Sequence, residues 1–388
     1  MTKNIFGFFG FIATFFLASV VFSQEKTADE TAPAIRYGLA ALTDAQRDAG
    51  ALLLFDGQTL FGWTAEPVKP TARAGTPSPR IEIKNGAAHI TTTVPIRIKT
   101  ELLLLRPFRM ELTYRTSGET SATLQLDAVS NMYLKRYRYP LAESDGSKTV
   151  RIEAVGETGG PIRFDDTEIE AAGNAEGRAG AVLIVEKGTL VLESFTLTPA
   201  SRPLWNGTLD AWKTLGDIKA EPTGDGAIHL TGGSGSLESS EEFDDFFLSL
   251  DFKENASPNN SGLFFRTIPA SKMDGYEAQM NNLPPDADRA KFLGNDTGSI
   301  FRRAAARRLV TNPSDWTRLT VMAEADFFRT WVNGVPALCW TDTREANENP
   351  RKGRRFKRGT IQIQGHDPAT DLLLRNIRVL DNKGGTFE

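Results

Sequence analysis

A chain of 388 residues with 45 Lys and Arg, 49 Asp and Glu, a formal charge of -4 and 40% hydrophobic residues is long enough for two ordinary globular domains, and nothing in it is biased toward disorder, collagen or a membrane bundle. The slight acidity excludes a whole-chain case for nucleic-acid binding. A single cysteine, Cys339, excludes an intrachain disulfide, so the fold depends on its core.

Residues 1–23 carry Lys3, an apolar run from Ile5 to Phe22 and the small Ser23. This is the pattern of a secretory signal peptide cut near Ser23 and Gln24, which places the mature protein outside the cytoplasm, secreted or periplasmic, with no membrane span after cleavage. A retained anchor helix is the second reading, because the run is close to the ~18 residues at which spanning begins. Residues 24–42 read as a linker. At Thr43 the stretch "TDAQRDAG" carries a capping-box pattern, Thr43 followed by Gln46, with Gly50 as the stop, and predicts a short helix.

From there the chain repeats itself. "LFDGQTLFGW" (54–63) returns as "LWNGTLDAW" (204–212), "NGAAHI" (85–90) as "DGAIHL" (225–230), and "FRMELTY" (108–114) as "FFLSLDF" (246–252). "AGAVLIVEKGTLVLESFTL" (179–197) aligns with "RGTIQIQGHDPATDLLLRNIRV" (358–379). Four matches in one order predict two related domains, 43–200 and 203–382. Both are rich in short alternating segments bounded by Gly, Asn, Asp and Pro, and Asn85-Gly86, Asp225-Gly226 and Asn333-Gly334 are tight-turn dipeptides between antiparallel strands. The fold class is therefore all-β, two tandem β-sandwich domains, each with outer sheet faces free to hold an extended ligand.

Period-two alternation assigns the side chains of the second domain to faces. Leu263, Phe265, Tyr276, Ala278, Met280, Ile361 and Ile363 go to the core, and Arg266, Glu277, Gln279, Asn281, Gln362, Gln364 and His366 go outward, with Arg375 as an outlying member. Planar amides and guanidinium groups suit pairs of hydroxyls. The aligned positions of the first domain read Leu183, Val185 and Lys187 against Gln362, Gln364 and His366, and Glu193 against Arg375, so the polar set is not needed to make the fold. His89 and His229 occupy equivalent places in the repeats and read as structural, which singles out His366. Trp63, Trp205 and Trp212 belong to the repeated opening motif and read as core; Trp316, Trp331 and Trp340 are either core or a sugar-stacking platform. The basic runs "RRAAARR" (302–308) and "RKGRRFKR" (351–358) read as solvated loops or as partners of an internal anion.

The ordered series "NSGLFFRTIP", "DGYEAQMNN", "TGSIFRRAAARR", "WVNGVPALCWTDTR" and "GTIQIQGHDPATDLLLRNIRV" resembles the 3-keto-disaccharide hydrolase family over residues 204–380, and "LFDGQTLFGW" resembles the same opening motif in a diverged first copy. The resemblance implies a concanavalin A-like jelly roll and action on glycosides oxidised at C3. Such a ketone acidifies the C2 proton, so a base, an oxyanion stabiliser and an acid suffice for β-elimination of the C1 group followed by hydration. On that chemistry His366, Glu277 and Arg266 are the catalytic candidates, and Gln279, Asn281, Gln362, Gln364 and Arg375 the substrate-binding ones. No tight metal-ligand spacing is present; a divalent ion on His366, Glu277, Asp367 or Asp371 stays open, with calcium in the Asp367 to Asp371 turn as one form of it. The partner expected is an oxidised di- or oligosaccharide. A non-catalytic lectin and a cell-surface interaction protein are the competing readings.

Overall fold

The computed structural model describes residues 42–68, 78–102, 107–129, 134–155, 161–169, 178–255, 260–282, 294–311 and 315–381. The predicted signal peptide and most of the linker lie outside them. Thr43 caps the one helix among the described residues, Asp44–Asp48, with the reciprocal capping box the sequence predicts: Gln46 N–H donates to Thr43 Oγ1 (3.1 Å) and Thr43 N–H to Gln46 Oε1 (3.0 Å). Among the described residues no helix is long and apolar enough to cross a membrane.

The rest of the described residues form antiparallel strands and loops. In the C-terminal half, one sheet has the order Lys219–Pro222, Ile228–Thr231, Asp371–Leu380, Phe246–Glu254, Thr317–Glu324, Phe327–Val332, Val335–Thr341. The second has the order Trp212–Gly216, Gly235–Phe243, Gly359–Gly365, Ser261–Thr267, Tyr276–Met280. Leu263, Phe265, Tyr276, Ala278, Ile361 and Ile363 meet Leu248, Leu250, Phe252, Leu374 and Ile377 in one core between them. This is the jelly-roll sandwich expected, and burial of the alternate apolar set is its main driving force.

The N-terminal half has the same connectivity in a continuous form. Its two longest strands, Phe108–Val129 and Arg178–Pro199, pair along their length and fold over, so a single 11-stranded sheet supplies both layers. The fold falls at register shifts around Lys187 and Gly188. Gly188 has φ +87°, and a Cβ there would lie 2.5 Å from Glu119 O; only glycine fits that bend. Beyond the bend, Arg80–Lys84, Ala87–Thr92, Lys148–Ala154, Ile162–Phe164 and Thr167–Ile169 take the places of the first sheet's strands. Trp63–Pro67, Ile96–Thr100 and Leu134–Leu141 take those of the second.

Cross-strand register corrects the alignment of the repeats. Val182 pairs with Lys99 and with Gln125, as Gln362 pairs with Glu238 and with Phe264. The counterparts of Gln362 and Gln364 are therefore Val182 and Ile184, not Leu183 and Val185, which face the core. A one-residue slip inverts a strand's faces. The outward pair in the N-terminal half, Val182 and Ile184, is likewise apolar.

The two halves share packing. Phe247, Met322, Trp331 and Leu380, on the outer face of the larger C-terminal sheet, belong to the N-terminal half's core cluster, and Trp331 Nε1–H donates to Leu53 O (3.0 Å). That outer face is thus covered rather than free. Trp63, Trp205, Trp212 and Trp331 are all buried, Trp340 packs against Phe328 and Tyr276, and Trp316 lies under Arg375. What remains for a ligand in the C-terminal half is the outer face of the five-stranded sheet.

Candidate functional site

One row of side chains crosses all five strands of that face: Lys213, Glu238, Gln362, Phe264 and Glu277, each paired with the next. Alternation puts Gln362 and Glu277 there, as expected, but the face is not a solvent face. Glu238 and Gln362 are 0% exposed, Gln279 1%, Gln364 7% and Glu277 8%; the 268–275 loop bonds Glu238 and Gln362, and Arg351 of the 342–358 loop reaches Glu277.

The carboxylate of Glu277 lies across the strand at Gly262, the position of closest approach: a Cβ on Gly262 would sit 2.8 Å from Glu277 Cγ and 2.9 Å from Oε1. Burial pushes this carboxyl up to about 7, against the opposing pull of Arg351, His366 and Arg302. Arg351 Nη2 stands 3.5 Å from Glu277 Oε2, its guanidinium 5.2 Å from the centre of the Phe264 ring, with Nε–H donating to Met273 O (2.8 Å). His366, just past the end of Gly359–Gly365, has Nδ1 3.0 Å from Asp367 Oδ2 and a half-exposed ring; the imidazole holds Asp367 below the usual carboxylate range.

Two amide oxygens complete the set. Gln279 Nε2–H donates to Asn260 Oδ1 (2.7 Å) and Ser261 O (3.1 Å), leaving Oε1 without a partner among the described residues, and Gln364 Oε1 is likewise unpaired. A buried acceptor with no donor is costly, and a sugar hydroxyl is a donor of the right kind. Along the outer side of Tyr276–Met280 runs the segment 296–301, with Gly298 N–H donating to Gln279 O (3.0 Å) and Phe301 N–H to Glu277 O (2.9 Å). It opens onto a cleft of about 560 Å³ lined by Gly294, Asn295 and residues 301–305.

Several predicted members play other parts. Arg266 lies at a register break with φ +48°, which turns it off the face; it is 0% exposed and spends its donors on Asp244 O, Ala325 O, Arg355 O and Asp245. It is a structural residue, not a catalytic one. Arg375 belongs to the other sheet, stacked 3.9 Å from the Trp316 ring centre and near Asp251. Gln362 is fully engaged: Nε2–H groups donate to Glu238 Oε1 (2.8 Å) and Ser271 O (3.2 Å), and Oε1 accepts from Ser236 Oγ and Met273 N (both 3.2 Å). It holds the 268–275 loop rather than a sugar. Asn281 anchors the neighbouring segment through Asn295 O (3.1 Å) and Thr297 Oγ1 (3.0 Å). Asp371 is bound by His229 and Asn255, each at 2.8 Å, and does not gather with Glu277. Among the described residues no three His, Cys, Asp or Glu side chains stand together as a metal site.

Sequence reasoning missed Arg351, Arg302 and Glu238. The two arginines sat in the basic runs, whose signal was visible but whose target was not. Glu238 is kept below the usual range: burial opposes this, but Lys213, Gln362, the Ala270 N–H and Thr360 together outweigh it. Glu277 and Glu238 are thus two buried carboxylates shifted in opposite directions, the first up and the second down.

The described residues thus form an all-β protein of jelly-roll sandwich units, with a buried polar row that holds a raised carboxyl beside Arg351. Residues 200–380 match the model of the 3-keto-alpha-glucoside-1,2-lyase-like domain. No curated protein matches the chain. Among solved structures, it is similar to a provisionally described glycosyl hydrolase from Parabacteroides distasonis (18% identity, 47% of this chain, 94% of that one, TM-score 0.38). It is also similar to the carbohydrate-binding module CBM66 from Bacillus subtilis (16%, 43% and 93%, 0.32). A Bacillus subtilis protein of unknown function with a galectin-like fold gives 16%, 46% and 93%, at 0.35.

Proposed function

We propose that the protein is an exported enzyme that cleaves 3-keto-glycosides, with its active site on the five-stranded sheet of the C-terminal half and the N-terminal half a diverged duplicate. The observation that carries this reading is Glu277: a buried carboxyl with its ionisation raised to about 7, over bare Gly262 and beside Arg351. The strand-for-strand correspondence of the halves supports duplication, and the counterpart of Glu277 in the first copy is Arg138, paired with Gln125 as Glu277 is with Phe264. A base has become a cation there, so one copy is left to do the chemistry.

In this reaction Glu277 takes the proton from C2 of the 3-keto sugar. The electron pair moves into the C2–C3 bond and onto the ketone oxygen, where Arg351 stabilises the enolate. The enolate then collapses back to the ketone, its pair forms the C1=C2 double bond as the C1–O glycosidic bond breaks, and His366, oriented by Asp367, supplies the proton that the leaving oxygen takes. Water adding back to the unsaturated product completes a net hydrolysis. Gln279 Oε1 and Gln364 Oε1 accept from ring hydroxyls.

The test is incubation with a 3-keto-disaccharide and with its unoxidised parent, following release of the reducing sugar. Turnover of the first alone supports the reading. Binding of both with turnover of neither would establish a lectin instead. Gly262→Ala adds a check on position: the new methyl would meet Glu277 Cγ and Oε1 and displaces the carboxylate, and kcat is expected to fall about 10- to 100-fold.

A further inference from the structure

The N-terminal half touches the site's wall at one buried point. Asp56, 2% exposed in the motif "LFDG", closes its own turn by accepting from Gln58 N (2.8 Å), Thr59 N (2.6 Å) and Thr59 Oγ1 (2.9 Å). Its Oδ2 also meets Arg307 Nη1 (2.9 Å) and Arg308 Nη2 (3.3 Å) of the C-terminal half. Arg307 is held further by Thr59 Oγ1 (3.0 Å) and by the Phe61 ring, 4.2 Å from its guanidinium carbon. The repeated motif in the second copy carries Asn206, exposed, which makes the turn bonds to Thr208 alone (both 3.1 Å). The turn needs no charge, so the charge at Asp56 serves the contact between the halves.

The same arginines end the segment that borders Glu277. Arg307 N–H donates to Ala337 O (2.8 Å), Ala306 N–H to Ser299 Oγ (2.8 Å), Gln279 N–H to Ser299 O (2.9 Å) and Phe301 N–H to Glu277 O (2.9 Å). Between these ties stands Arg302, with φ +57°, one of three groups whose charge would bear on Glu277; the others are Arg351 from the 342–358 loop and His366 from the end of Gly359–Gly365. We propose that Asp56 is a positioning residue for the C-terminal site: by fastening Arg307 and Arg308 it fixes the 296–308 segment, and with it Arg302, against Glu277. This rests on the reading of Glu277 as the base, and it makes the N-terminal half a working part of the site that it does not itself contain.

Asp56→Asn retains the turn, as Asn206 does naturally, and removes the charge. The readout is the titration midpoint of Glu277 in the full chain without substrate, followed by carboxyl 13C resonance in glutamate-labelled protein and assigned with Glu277→Gln. It is independent of turnover, so failure of the 3-keto reading cannot be mistaken for failure of this one. The midpoint is expected to rise by about half a pH unit, in the direction that Arg302→Gln moves it, and the double variant to rise no further than Arg302→Gln alone. Arg307→Gln, which leaves the Asp56 turn intact, should reproduce the shift. A midpoint unchanged from the parent in both Asp56→Asn and Arg307→Gln overturns the proposal, as does an additive double variant. With turnover, the same shift appears as a roughly threefold loss of kcat/KM at pH 6 and no loss at pH 9.

Discussion

Glu277→Gln is expected to lower kcat on a 3-keto-disaccharide by about 10²- to 10⁴-fold, with KM within a fewfold of the parent, because glutamine keeps the shape and cannot accept the proton. The parent's kcat/KM should rise with pH through about 7, where Glu277 ionises. Stability should move the other way. The folded protein holds the proton on Glu277 more tightly than the ordinary carboxyl at 4.5, so its stabilising contribution is complete below about 4.5 and lost as pH rises through about 7. Relative to the parent, Glu277→Gln should therefore be neutral near pH 4 and more stable at pH 8, by up to about 3 kcal/mol for a shift of this size. Glu254, also raised to about 7 by burial against the single opposing hydrogen bond from Asn282 N–H, gives the parent a second loss of the same sign, unaffected by the substitution. A variant that loses rate and gains alkaline stability cannot be explained by misfolding. Thermal melts at pH 5 and 8, with initial rates at both, check the pair of expectations; an active Glu277→Gln enzyme would remove the carboxylate from the mechanism.

Which side chains the site contains was partly legible in the sequence, for a physical reason. Alternation along a strand is a local property, so Glu277, Gln279, Gln362 and Gln364 could be set on one face from spacing alone, opposite Ala278, Ile361 and Ile363. Local rules stop where the strand does. Arg266 has the parity of Phe264, but a register break and a left-handed backbone take it off the face. Arg351 reaches Glu277 from a loop 74 positions away in the chain, and Arg302 from a segment laid along the edge of a strand. No period records such approaches. The repeat was legible as ordered motifs, yet its register slipped by one, because Leu183 and Val185 are as apolar as their neighbours Val182 and Ile184 and only cross-strand pairing tells the faces apart. Gln362 shows a further gap: alternation gives the face but not whether the amide is already spent, and four protein contacts consume it.

Arg266→Met is expected to cost about 3–5 kcal/mol of folding stability and to leave kcat/KM in the surviving folded protein within a fewfold of the parent. The arginine is fully buried and joins three separate turns. Nε–H donates to Asp244 O (2.8 Å), Nη1 to Arg355 O (3.0 Å) and to Ala325 O, and Nη2 to Asp245 Oδ1 (2.9 Å). Its planar group lies 5.4 Å from the Phe328 ring centre, inside the aromatic cluster of Phe265, Tyr276 and Phe328. Methionine recovers much of the packing volume but no donor, so three carbonyls lose their partner, and Asp245 keeps only the Ala325 N–H (2.8 Å) among these contacts. Burial disfavours the charged guanidinium and Asp245 supports it, which makes the pair one whose halves cannot be removed singly without leaving a desolvated charge or dipole. Catalysis is affected little because Arg266 itself contacts neither Glu277, Gln279 nor Gln364; its partners brace the turn at 244–245, residue 325 and the 342–358 loop at residue 355, four positions beyond Arg351. Urea unfolding followed by tryptophan fluorescence measures the first effect, and active-site-normalised kinetics below the transition the second. A stable Arg266→Met protein with a hundredfold loss of kcat would return this residue to the catalytic set and shift the weight of oxyanion stabilisation away from Arg351.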